Sequence, residues 1–72
     1  MSSHLILNNR VEYFRSLKGF SQKDLAEVVG SSVVTIKAIE HGEVYPSVFL
    51  GGLLCYALDC SFSDLFYFDL IE

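Results

Sequence analysis

Two thiols, two imidazoles and a series of aspartates are the side chains with which this sequence could do covalent or metal chemistry. Cys55 and Cys60 have no His or Cys partner at the spacing of a zinc site, and His4 and His41 are far apart with no further ligand near either. Asp59, Asp64 and Asp69 are spaced like a solvated acidic edge with helix caps, and no set of nucleophile, base and oxyanion donors surrounds them. No metal, no cofactor and no catalytic residue is therefore expected, and the chain does not read as an enzyme. What remains is recognition by charge and hydrogen bonding, and its cations are unevenly placed. Arg10, Arg15, Lys18, Lys23 and Lys37 all lie in the first 37 residues, which carry a net charge of +2; residues 38–72 hold six acids and no Lys or Arg, for −6.

The total charge of −4 taken alone argues against a nucleic-acid partner, but binding depends on the local face. At 72 residues the chain has room for one domain, expected over 1–72, and with 51% hydrophobic residues it is no disordered acidic tail. The first ten residues lack a basic region and hold only three consecutive apolar positions, so no signal peptide is read and a cytoplasmic location is expected. Val44 to Leu58 is uncharged but too short and too interrupted by Pro46, Gly51 and Gly52 to span a membrane. In that compartment Cys55 and Cys60 are expected to be free thiols.

Turn signals divide the chain into short elements. His4 to Leu7 has the length of a strand. Val11, Phe14, Leu17 and Lys18 follow helical spacing, with Asn8 or Asn9 as N-cap and Gly19 as the stop. Ser21-x-x-Asp24 has capping-box form and starts a second helix at Gln22, carrying Leu25, Ala26 and Val29 inward and ending at Gly30. Ser32 caps a third helix, Val33 to Glu40. A helical projection sets Ser32, Thr35, Ile36 and Ile39 on a buried side and Val33, Val34, Lys37 and Ala38 on the other. Pro46-Ser47 opens a fourth helix to about Leu58, and Ser61-x-x-Asp64 a short fifth. The β-branched and aromatic tail from Phe66 to Ile71 predicts a second strand, able to pair with the first.

The stretch Leu17-Lys18-Gly19-Phe20-Ser21-Gln22-Lys23-Asp24-Leu25-Ala26-Glu27-Val28-Val29-Gly30, followed by Thr35-Ile36, Ala38-Ile39-Glu40, Gly42 and Pro46-Ser47, resembles the Xre-type helix-turn-helix regulators, the group that includes phage repressor and Cro proteins. The resemblance covers about residues 9–66. It implies a mainly α, five-helix, lambda-repressor-like DNA-binding domain, with the helix-turn-helix at about 21–41 and a small antiparallel sheet formed by the two terminal strands. The third helix would enter the major groove while the second braces it. By the same resemblance Gln22, Lys23, Arg15 and His41 would meet phosphates, and Ser32, Val33, Val34, Lys37 and Ala38 would face bases. Arg15 and Glu40 occupy positions where the family often has an Arg–carboxylate pair; a purely structural ion pair is the alternative there.

Two departures from the family shape the expected function. Val33 and Val34 stand where Arg, Gln, Ser or Asn are common, so they could meet only thymine methyl groups, or else pack in a helix-turn-helix that no longer reads DNA. Phe49, Leu53 and Tyr56 replace polar residues on the outer stripe of the fourth helix, and with Phe66 and Phe68 they are read as a partner or dimer surface. The leading expectation is a homodimeric, sequence-specific repressor on a palindromic double-stranded DNA operator. The rival is a protein-interaction module or antirepressor that keeps the fold and acts through the fourth helix and the acidic C-terminal half.

Overall fold

The computed structural model describes residues 2–72. Strand β1 (His4–Asn9) is followed by α1 (Val11–Leu17), α2 (Gln22–Val29), α3 (Val33–Glu40), α4 (Val48–Leu58), α5 (Phe62–Leu65) and strand β2 (Phe66–Ile71). This is the expected architecture of five helices and a terminal sheet. None of the first three helices exceeds eight residues, well under the length at which an isolated helix holds in water, so capping and packing must hold them.

Both S-x-x-D signals form reciprocal capping boxes. Ser21 accepts from the Asp24 N–H while Asp24 accepts from the Ser21 N–H, and Ser61 and Asp64 repeat the exchange at α5. Ser32 and Ser47 cap α3 and α4 through the Thr35 and Leu50 N–H groups. Between α2 and α3 the chain reverses at Gly30, whose φ of 70° is a conformation that glycine adopts without cost.

The expected start of α1 is shifted by one position. Arg10 occupies the N-cap site and makes no side-chain cap bond; the Asn9 side chain accepts the Val11 N–H from one residue further back. Strand β1 also runs two residues beyond Leu7, because Asn8 and Asn9 stay in register with Tyr67 and Phe66, and Asn8 donates to the Asp69 carboxylate. Leu17, on the expected helical spacing, lies exposed at the end of α1.

Val11, Leu25, Ile36, Ile39, Leu54, Leu58 and Leu65 fill a single core to which every helix contributes. Phe66 belongs to this core as well, at 4% exposure, which removes it from the expected partner surface. The reason lies in the pairing: Phe66 opens β2 on the sheet face turned toward the helices, its ring 4.8 Å from that of Phe62 and close above Gly51. A side chain on Gly51 would meet the Phe66 ring at 3.8 Å, so α4 and β2 approach closely at this glycine. Leu53 is half-buried against the core, whereas Phe49, Tyr56 and Phe68 are exposed.

Gly52, next along α4, faces open space. Gly52→Ala is therefore expected to raise stability by about 1 kcal/mol through helix propensity alone, read as a higher urea midpoint at unchanged slope; a lower midpoint would mean that the position is not open.

Candidate nucleic-acid interface

Ile36 and Ile39 anchor α3 in the core, and the helical advance of about 100° per residue fixes what the rest of the helix presents. Val34 points directly away, at 77% exposure, and Lys37 beside it is exposed. Ala38 is half-exposed on the same side. Val33, expected with them, instead packs half-buried against the core. It lies one turn before Ile36, on the flank of the apolar side, because residues three apart share a helix face. Ser32 is exposed, but its hydroxyl is occupied: it accepts the Thr35 N–H and donates to the Thr35 hydroxyl. The outward face of α3 thus reduces to Val34, Lys37 and Ala38.

The C-terminal end of α3 is clamped. Glu40 Oε2 accepts from Arg15 Nε at 2.7 Å, and Oε1 accepts from the Arg15 Nη2 at 3.3 Å and from Gln22 Nε2 at 2.9 Å. Arg15 Nη1 donates to the Phe20 carbonyl at 2.9 Å, so one guanidinium ties α1 to both the α1–α2 loop and α3. The two side chains are 13% and 2% exposed, and the neighbouring carboxylate raises the Arg15 pKa further above its ordinary value. Asn9 adds a link that the sequence did not suggest: its Nδ2 donates to the Ile39 carbonyl at 2.9 Å, satisfying one of the last acceptors of α3.

These bonds decide which expected phosphate ligands remain free. All three Arg15 nitrogens are engaged inside the domain, and the Gln22 amide is bonded to Glu40. Arg10 lies 4.0 Å over the Tyr67 ring and donates to the Asp64 carbonyl, and Lys18 is 3.9 Å from Asp59. Lys23 and Lys37 are the cations in no ion pair or cation–π contact among the described residues. His41 is exposed at the end of α3, its Nδ1 3.9 Å from Glu43. Cys55 and Cys60 are free and half-buried, with burial pushing both thiols up, which disfavours the reactive thiolate.

A short helix running into a tight glycine turn and a second helix with an outward face is also the arrangement that sequence comparison detects: residues 11–65 match a family model described as Helix-turn-helix. The chain belongs to the helix-turn-helix family of transcriptional regulators. Among its helix-turn-helix relatives, the uncharacterized HTH-type transcriptional regulator YgzD of Bacillus subtilis is 35% identical over 63 residues, covering 88% of this chain and 96% of that protein. An uncharacterized HTH-type transcriptional regulator of Archaeoglobus fulgidus is 33% identical over 63 residues, covering 88% of this chain and 90% of its own. In structure, the helix-turn-helix chain is similar to the clp gene regulator ClgR of Corynebacterium glutamicum, with a TM-score of 0.71 at 31% identity over 75% of this chain, which spans 57% of that protein's length. The family consists of regulators, not enzymes. No helix among the described residues is long and apolar enough to cross a membrane.

Removing one partner from the clamp leaves a desolvated charge. Arg15→Ala is expected to cost about 3 kcal/mol, measured by urea unfolding, while Arg15→Met combined with Glu40→Leu recovers most of that loss. Equal destabilisation by the single and double variants would show that packing, not the unpaired carboxylate, is responsible. At the same end of α2, the Ser21 backbone N–H, followed by the Ser21 side chain, holds the Asp24 carboxyl below its ordinary 3.8. A pKa lowered by folding adds stability that is present above the unfolded value and lost as pH falls through the folded one. Asp24→Asn should therefore flatten the stability profile below about pH 4; an unchanged acid limb would remove Asp24 from the balance.

Proposed function

We propose that the chain is a cytoplasmic homodimeric repressor that reads a palindromic operator with α3 in the major groove. The observation that carries this reading is the face of α3. Val34 and Lys37 project where no core contact needs them, on a helix fixed at its C-terminal end by Glu40. In a symmetric dimer the two α3 helices would enter successive major grooves about 34 Å apart.

Val34 suits the thymine methyl, Lys37 suits a guanine edge or a phosphate, and Ala38 permits close approach. Lys23 and His41 meet phosphates on either side. Arg15 and Gln22 act as positioning residues that hold α3, in place of the phosphate contacts expected of them from the family. The start of α2 supports phosphate binding, since the Gln22 and Lys23 N–H groups have no acceptor among the described residues. With two free lysines per protomer the salt dependence is shallow, a slope in log K against log salt of roughly −4 for the dimer.

The second reading, a protein-interaction module or antirepressor, is favoured by the exposure of Phe49 and Tyr56 on α4. The two separate by selection of bound sequences from a random duplex pool. An enriched palindrome supports the reader; a pool that stays random while the folded chain is retained by a protein partner overturns it. On the selected operator, Lys37→Ala should weaken binding about tenfold, and Val34→Ala should mainly relax preference at one thymine per half-site. Wild-type binding by both variants would place the reading face elsewhere.

A further inference from the structure

The end of α4 carries two thiols that take no part in the reading of DNA. Asp59 has a left-handed backbone with φ of 56°, and around it the Cys60 N–H donates to the Cys55 carbonyl at 3.1 Å while the Asp59 N–H donates to the Tyr56 carbonyl at 3.3 Å. This pair of bonds is a Schellman turn, in which the side chains of the first and last residues commonly meet. Here those two residues are Cys55 and Cys60, so two sulfurs stand where an apolar pair is usual.

Both thiols are half-buried at the edge of the core and line one open cavity of about 500 Å³, whose other walls are Tyr56, Asp59, Ser61 and Asp64. After burial itself, the neighbours that push the Cys60 thiol up are Cys55, Asp64 and Asp59, so the four groups share one local field. One oxygen of Asp64 accepts the Ser61 N–H, and the Asp59 carboxylate is exposed with Lys18 3.9 Å away. No basic residue occupies the last turn of α4, so the negative end of the helix adds to the two carboxylates. These surroundings favour a cation, and a pair of sulfurs selects a soft one.

Charge and ligand number narrow the class further. A thiol binds a metal ion as its thiolate: two S–H bonds break, two sulfur–metal bonds form, and both protons pass to water. With a divalent ion the net charge of the site stays as it was. A monovalent ion leaves one extra negative charge beside Asp59, Asp64 and the helix end, which these groups oppose. The C-x4-C spacing is half of a zinc-type ligand set, and the lack of a second half excludes a closed structural site but not an open one. No three-residue ligand group forms among the described residues, so Asp59 and Asp64 act through charge, and the cavity leaves room for water in the remaining coordination positions.

We propose that Cys55 and Cys60 form a two-thiolate site for a thiophilic divalent cation of the zinc group, tying the last turn of α4 to the entry of α5. The site shares no residue with the outward face of α3 and stands whether or not the chain reads DNA.

Titration of the full chain with Cd2+, in the presence of a phosphine reductant that prevents a disulfide, tests the site through the ultraviolet thiolate-to-cadmium charge-transfer band. The band should saturate at one Cd2+ per chain with a dissociation constant in the micromolar range or below, and Zn2+ should displace the Cd2+. Cys55→Ser and Cys60→Ser should each abolish most of the band and weaken binding at least about 100-fold, with the helical circular dichroism retained. Should a serine variant fail to fold, the unmodified chain still decides the matter: bound Cd2+ should slow alkylation of both cysteines by iodoacetamide, read by mass spectrometry. A missing band overturns the proposal, as does a band that survives either serine substitution. Equal alkylation with and without Cd2+ overturns it too, and so does a stoichiometry of two chains per ion. Displacement of Cd2+ by millimolar Mg2+ has the same force, because a hard ion competes for carboxylate oxygens and not for sulfur.

Discussion

A carboxylate whose side chain is 2% exposed requires partners, and Glu40 takes them from two other helices. Arg15 of α1 covers both of its oxygens and Gln22 of α2 adds a third bond, so the last turn of α3 is held at one point against the first two helices. Hydrophobic packing of Leu25, Ile36 and Ile39 supplies most of the binding between these helices but has little directional preference. The planar guanidinium does have direction, because its forked donors match the two carboxylate oxygens. The same Arg15 holds the Phe20 carbonyl, so the loop entering α2 is set by the group that sets α3.

Asn9 extends this constraint to the sheet. It pairs with Phe66 in the strand register, accepts the first N–H of α1 and donates to the Ile39 carbonyl. One residue therefore joins the inner end of the sheet, the start of α1 and the end of α3. The position of the sheet relative to α3 is set by this residue and by the neighbouring Phe66, which rests above Gly51. Of the acids in the second half, Glu40 makes the clamp and Asp69 accepts from Asn8 across the sheet, whereas Asp64 sits in the α5 capping box, Asp59 at the left-handed end of α4 and Glu43 beyond α3.

Most of the fold was legible from local signals with a direct physical meaning. The Ser21–Asp24 and Ser61–Asp64 spacings specify helix starts because a reciprocal cap has only one geometry, and Gly30 marks the turn because few residues tolerate its backbone. The Arg15–Glu40 contact, 25 positions apart, was accessible only through family resemblance, since nothing local indicates it. Val33 was misplaced because a two-sided division of a helix ignores its flanks, where a valine one turn from Ile36 finds cover. Phe66 was misplaced for a different reason. Strand alternation separates two faces but does not say which faces the helices until the register is known. The internal bonding of Arg15 and Gln22 was likewise beyond sequence, as their residue types fit both a phosphate and a carboxylate.

The division of labour along α3 bears on how such a regulator can change over time. Ile36, Ile39 and Glu40 fix the helix, and Val33 seals its flank, whereas Val34 and Lys37 support nothing inside the domain. Substitutions at surface positions free of structural duties usually alter stability by less than about 0.5 kcal/mol. New side chains at 34 and 37 can therefore be tried with the scaffold intact, and on the proposed reading of α3 a duplicated copy can drift to a different target without first acquiring compensating mutations.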